Sequence, residues 1–155
     1  MHRDLVRSSL IGLVATVVCL LVGSRVNNVG DFSWALSTAA ALLEGRDPYA
    51  FVPDALNVPY PLPVALFGLP LVWLPWPFAA SLFIGGSSAL LAWGILRSKE
   101  PWRIWVFASF PFFTALYFRQ WSPLIMASWF LPALAPLLVL IKPQIALPVA
   151  LEAIK

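Results

Sequence analysis

The sequence predicts an all-α, polytopic helical membrane protein, and three observations carry that prediction. Hydrophobic residues make up 61% of the chain and charged residues only 11%, with a mean hydropathy of +0.85, far from the balance of a soluble domain. The charges gather at the ends of apolar runs rather than inside them. Eight tryptophans supply the aromatic residues that hold helix ends at a membrane interface. The net charge of +3 does not point to nucleic acid, because the Lys and Arg lie scattered at segment ends instead of on one face. Cys19 stands alone in an apolar run and His2 is isolated, so the sequence offers neither a disulfide framework nor a metal-ligand cluster.

Taken in order, Ser8 to Ser24 contains no charge between Arg7 and Arg25, and about 17 residues is the short limit for a helix crossing the hydrocarbon core. It reads as a retained first anchor. A signal peptide is the competing reading, against which no small-x-small cleavage site follows Leu21. From residue 25 to residue 60 the chain turns polar, as a loop carrying Asp31, Glu44, Arg46, Asp47 and Asp54. Within it the Ala- and Leu-rich stretch Phe32 to Glu44 predicts a short helix, with Asp31 or Ser33 as its N-cap and Gly45 at the left-handed position after its end.

Five prolines between Tyr60 and Pro77 argue against one regular crossing. Residues 62–74 therefore read as a re-entrant or juxtamembrane helix, with Trp73 and Trp76 at headgroup level. Residues 78–96 form a cleaner span, and its small patch Gly85, Gly86, Ser87 and Ser88 would let another helix approach closely. Arg97, Lys99 and Arg103 then make the densest basic cluster, which the positive-inside rule places in the cytoplasm with Arg3 and Arg7. An even number of crossings separates the two clusters, so residues 62–74 do not cross and the 25–60 loop is extracytoplasmic. Residues 104–118 are expected to cross outward and 123–141 to return inward, ending at Lys142. The last run, 144–155, is too short to cross, which suggests a portion of a longer chain.

The stretch GDFSWALSTAAALLEGRDPY, followed by PYPLPVALFGLPLVWLP, RQWSPL and IKPQ, resembles in order the amino-terminal part of glycosyltransferase family 87. These are GT-C superfamily membrane enzymes, similar to polyprenol-phosphate-mannose-dependent mannosyltransferases. Tyr60-Pro61-Leu62-Pro63 stands where that family has Tyr-Pro-Pro, Arg119-Gln120 where it has Gly-Gln, and the spacing from Gln120 to Lys142 is shorter. The likeness runs along nearly the whole chain but spans only the first third to half of such an enzyme.

The resemblance implies a GT-C-like amino-terminal half that transfers a hexose such as mannose from a polyprenyl-phosphate donor to an extracytoplasmic lipid or glycan acceptor. No nucleotide or other cofactor would take part; nothing in the sequence resembles a divalent-metal motif, and the scattered basic residues leave no nucleic-acid partner. It also implies a multi-pass protein of a bacterial plasma membrane with a cytoplasmic amino terminus. Transfer requires a base for the acceptor hydroxyl and a cation for the leaving phosphate. Asp31 would be the base, and Arg46, closest to it in sequence, the first candidate for the phosphate, ahead of Arg119 and Lys142. Asp47, Tyr49, Tyr60 and Gln120 would position sugar or phosphate.

Each residue also has a plainer reading. Asp31 is placed to cap a helix, Arg46 and Asp47 to form a solvated pair, and Gln120 and Ser122 to cap the helix at Pro123. Tyr49 and Tyr60 would suit a membrane interface, and Lys142 a snorkelling position. At the level of function the alternative is a non-enzymatic membrane component, either a transporter segment or a partner subunit, with proline-broken helices along a solute path.

Overall fold

The computed structural model describes residues 2–23, 30–50, 60–143, 146–148 and 151. Every element among them is helical. Among the described residues two helices are long and apolar enough to cross a membrane, α1 (His2–Gly23) and α4 (Trp76–Arg97), and at 1.5 Å per residue each is about 33 Å long. They run antiparallel and touch through their small residues. A Cβ on Gly12 of α1 would lie 2.7 Å from the Gly85 carbonyl oxygen and 2.7 Å from the Ala89 Cβ of α4. The small-residue patch anticipated at Gly85 is thus a helix-packing face, as close backbone approach requires. At the other end of the pair, Gly23 lies against Arg119, whose guanidinium stands over the Trp76 ring. The amino terminus with Arg3 and Arg7 therefore shares one end of the pair with Arg97. Leu5, Leu10, Leu13, Val14 and Leu21 leave the outer face of α1 apolar and exposed.

The loop after α1 contains α2 (Ser33–Leu43), whose boundaries the sequence sets closely. Gly45 adopts φ +67. The Arg46 N–H reaches the Ala41 carbonyl at 2.8 Å and the Gly45 N–H the Leu42 carbonyl at 3.2 Å, the paired bonds of a Schellman ending. At the start of α2, however, no side chain caps the helix, and the Ser33 hydroxyl donates back to the Gly30 carbonyl instead.

The expected juxtamembrane helix at 62–74 is smaller than its range. A 3₁₀ turn, Leu62–Val64, runs into α3 (Ala65–Gly68), and turns fill the rest up to Pro75. α3 seats on α2 through Gly68, where a Cβ would fall 1.9 Å from the Ala35 carbonyl oxygen. Gly68→Ala is accordingly expected to cost about 1–3 kcal/mol, since backbone cannot move aside as a flexible side chain can. A drop in the thermal midpoint of the purified protein reads it; an unchanged midpoint would mean α3 is not held there.

Neither of the last two expected crossings forms as one helix. Residues 104–118 divide into a 3₁₀ helix, Pro101–Ala108, and α5 (Phe110–Tyr117), broken at Ser109. Ser109 is extended at φ −89, ψ 151, and its hydroxyl caps the Phe112 N–H, so the chain restarts a helix there. Eight residues reach only about 12 Å, well short of a bilayer.

Residues 123–141 divide into α6 (Ser122–Phe130) and, after a 3₁₀ turn at Pro132–Leu134, α7 (Ala135–Ile141). Pro132 lacks an N–H and forces Leu131 out of the helical region to φ −128, ψ 74. α6 descends beside α4, so that Phe130 packs on Gly94, and α7 comes back. The two ends of this hairpin meet at one residue, because Asp31 bonds both Phe118 and Lys142. Lys142 is therefore at the Asp31 end, not the opposite end that an inward crossing requires.

Candidate functional site

Asp31 is positioned by its neighbours on both sides. Gly30, at φ +63, turns the chain so that the Asp31 N–H donates to the Phe118 carbonyl at 3.0 Å. Phe32, wholly buried, inserts its ring against Phe83 of α4 with centroids 4.0 Å apart and planes 9° off parallel. Trp76 and Trp121 complete the surround. With backbone and ring both fixed, the carboxylate projects from a rigid corner rather than a free loop.

That carboxylate meets Lys142, 111 positions later in the chain: the Nζ donates to Oδ2 at 2.9 Å, with 15% and 33% of the Lys142 and Asp31 side chains exposed. The capping reading of Asp31 therefore gives way, since its oxygen serves a distant cation and not the start of α2. Tyr60 stands over the same ammonium, with its ring centroid 5.2 Å from Nζ. Its own carbonyl accepts the Tyr49 hydroxyl at 3.3 Å. Asp31, Tyr60 and Lys142 thus form one polar cluster, and Tyr49 joins it through the backbone of Tyr60.

Burial and charge set the protons of this cluster. Burial lifts the Tyr60 hydroxyl above the ordinary tyrosine range, with Lys142 opposing the rise and Asp31 adding to it. On Lys142 burial acts first and downward, but contacts with Tyr60 and Asp31 outweigh it and hold the ammonium above its ordinary range. Both groups bind their proton more tightly in the folded state. The stability they contribute is full below their unfolded values and lost as pH rises through the folded ones. The thermal midpoint should hold level to about pH 9 and fall above about pH 10, and Lys142→Gln should flatten that fall. Superimposable alkaline profiles for the two proteins would contradict the pairing.

The other residues singled out from the sequence are less closely joined. Arg46 pairs with Glu44, both half exposed, beyond the carboxyl-terminal end of α2. The helix separates Arg46 from Asp31 by about 16 Å at 1.5 Å per residue, so nearness in sequence does not become nearness in space. The Asp47 carboxylate accepts the Tyr49 N–H at 2.9 Å and holds the turn after the helix. The Gln120 Oε1 accepts the Ser122 hydroxyl at 3.2 Å; neither caps α6.

Two features go beyond what the sequence shows: the backbone and burial of Arg119, itself a sequence candidate for the phosphate, and the burial of Trp121. Arg119, at φ +48, occupies the left-handed place in a second Schellman ending, with the Gln120 N–H on the Ala115 carbonyl at 2.9 Å. An arginine there bears a backbone cost that glycine avoids, and its guanidinium is buried over Trp76. The replacement of Gly-Gln by Arg119-Gln120 was the visible signal. Trp121 is fully buried between Phe67, Phe83 and Tyr60, and its indole N–H has no partner among the described residues. Its place in RQWSPL is the sequence signal, and that gives no sign of its burial. No group of three His, Cys, Asp or Glu able to hold a metal ion occurs among the described residues.

Comparison with family models, with curated proteins and with solved structures gave no match to this chain.

Proposed function

We propose that this chain is a membrane glycosyltransferase component that transfers a hexose such as mannose from a polyprenyl-phosphate donor to a hydroxyl of an extracytoplasmic lipid or glycan. The observation that carries the reading is the Asp31–Lys142 pair beneath Tyr60, at one end of two long apolar helices. The exposed Leu and Val face of α1 is suited to acyl chains, and such a face on a monomer calls for lipid or a partner. The order of the motifs supports the same reading.

In the proposed reaction the Asp31 carboxylate takes the proton of the acceptor hydroxyl as that oxygen attacks the anomeric carbon. The bond from that carbon to the phosphate oxygen breaks with inversion, and the polyprenyl phosphate leaves with the electron pair. A carboxylate base and a fixed cation at the leaving oxygen are the two groups this step needs. Lys142 fills the second role in place of Arg46, for it alone of these two lies beside Asp31. Lys142 pairs with Asp31; an incoming donor phosphate would draw the ammonium away and leave the carboxylate for the acceptor. Tyr60 keeps the cation in place during that exchange.

Membranes containing the protein, given tritiated mannose on either a polyprenyl phosphate or a nucleotide, test the proposal. Label should pass to acceptors from the lipid donor only, and Lys142→Gln should raise the donor KM about tenfold or more, the loss of one charge-assisted contact. Label moving only from the nucleotide would refute it.

A further inference from the structure

A second site lies at the opposite end of the α1–α4 pair. There Leu91 and Ile95 of α4, Met126 and Trp129 of α6, and Trp102 and Trp105 of the 3₁₀ helix enclose a groove of about 670 Å³, a volume typical of ligand pockets. The 3₁₀ helix Pro101–Ala108 buries no residue of its own. Trp105 is 75% exposed, Trp102 66%, and Trp129 and Met126 50% each, an apolar aromatic wall open on one side. A smaller hollow of about 360 Å³ adjoins it around Phe130, with Arg97 on its rim.

Charge decides what this wall is for. Arg3, Arg7, Arg97, Lys99 and Arg103 gather at this end against Asp4 and Glu100, and five against two leaves +3, the whole net charge of the chain. Glu100 pairs with Arg103, while Arg97 lies over Trp93 at 4.9 Å and Arg103 over Trp102 at 5.9 Å. Arg103 lines the acyl-sized apolar groove and Arg97 the hollow that adjoins it, an arrangement that matches a ligand with a phosphate at one end and a hydrocarbon chain at the other. Exposed tryptophans with a basic cluster beside them are the features that recruit anionic lipid.

We propose that this groove binds one anionic phospholipid, with an acyl chain between the 3₁₀ helix and α6 and its phosphate at Arg97, Lys99 and Arg103. The inference rests on the membrane reading and not on the transfer reaction, and its test does not involve sugar transfer. The protein is reconstituted in phosphatidylcholine bilayers containing a few per cent of phosphatidylglycerol, or of phosphatidylcholine, with brominated chains, and tryptophan fluorescence is followed. Brominated phosphatidylglycerol should quench at about tenfold lower mole fraction than the brominated zwitterionic lipid. Arg97→Gln and Arg103→Gln should each weaken the preference about fivefold. Replacing Trp102, Trp105 and Trp129 together by Phe should remove the preferential quenching, and these exposed side chains can change without loss of the fold. Equal quenching by the two lipids, a preference unmoved by the arginine variants, or quenching that survives the triple replacement would each overturn the proposal. So would cross-linking that finds a second copy of the chain seated on the groove.

Discussion

Asp31→Asn is expected to lower hexose transfer from a polyprenyl-phosphate donor by about a thousandfold, while the protein still inserts and folds. General-base catalysis is worth about a hundred- to ten-thousandfold, and an amide cannot take the acceptor proton. The substitution is nearly isosteric. The Asn oxygen still accepts from Lys142, now 2.9 Å from the carboxylate, and the backbone bond to Phe118 and the Phe32 stack are untouched. What is lost is the charge, and the pair is partly solvated, with a third of the Asp31 side chain exposed, so the stability cost stays near about 1 kcal/mol. Asp47→Asn is the internal comparison. Asp47 holds only its own turn, and its substitution should change transfer less than about threefold. Full transfer by Asp31→Asn would remove Asp31 from the role of base.

The second large effect is on the helix pair. A Cβ on Gly85 would fall 1.8 Å from the Thr16 hydroxyl oxygen and 2.8 Å from the Gly12 carbonyl oxygen, whereas one on Gly86 meets nothing within 4 Å. Gly85→Val therefore has to part α1 from α4, at about 3 kcal/mol or more, because a backbone carbonyl stands in the way. Gly86→Ala, one residue on, should stabilise by about 0.5–1 kcal/mol, the ordinary gain of Ala over Gly inside a helix. Thermal midpoints in one detergent compare the two. Opposite signs at adjacent glycines are what this interface requires, and equal losses would mean that α1 and α4 do not meet there.

The parts of the fold legible in the sequence are those fixed by local patterns. α4 and most of α1 follow from charge-free apolar runs, although α1 begins at His2, ahead of its run and through Arg3, Asp4 and Arg7, and the end of α2 follows from Gly45, because only a residue tolerant of positive φ closes a Schellman ending cheaply. The breaks were harder to see. Apolar content across 104–118 and 123–141 satisfies a membrane span by composition, yet Ser109 can cap a new helix and Pro132 can end one, and in both cases the local signal prevailed over hydropathy.

The site was legible as a set of residues but not as an arrangement. The sequence singles out Asp31, Tyr60 and Lys142, yet a crossing at 123–141 would put Lys142 on the opposite side. Its meeting with Asp31 depends on where α6 turns back, and no local pattern carries a pairing across 111 positions. Arg46 was favoured by proximity in sequence, and the length of α2 undoes that proximity.

Side-selective labelling asks most directly whether one site joins the two ends of the α6–α7 hairpin. In a Cys19→Ala background, single cysteines at Glu44, Lys142 and Lys99 would be exposed to a membrane-impermeant maleimide in sealed, oriented vesicles. Asp31→Cys with Lys142→Cys would be treated in parallel with a bismaleimide, since the contact joins the far ends of two side chains, a span longer than a disulfide bridges. The re-entrant hairpin requires that positions 44 and 142 label from one side and position 99 from the other, and that the 31–142 pair forms an intramolecular cross-link. Labelling of position 142 from the side of position 99, with no cross-link to position 31, would show that the segment crosses and that the site does not exist.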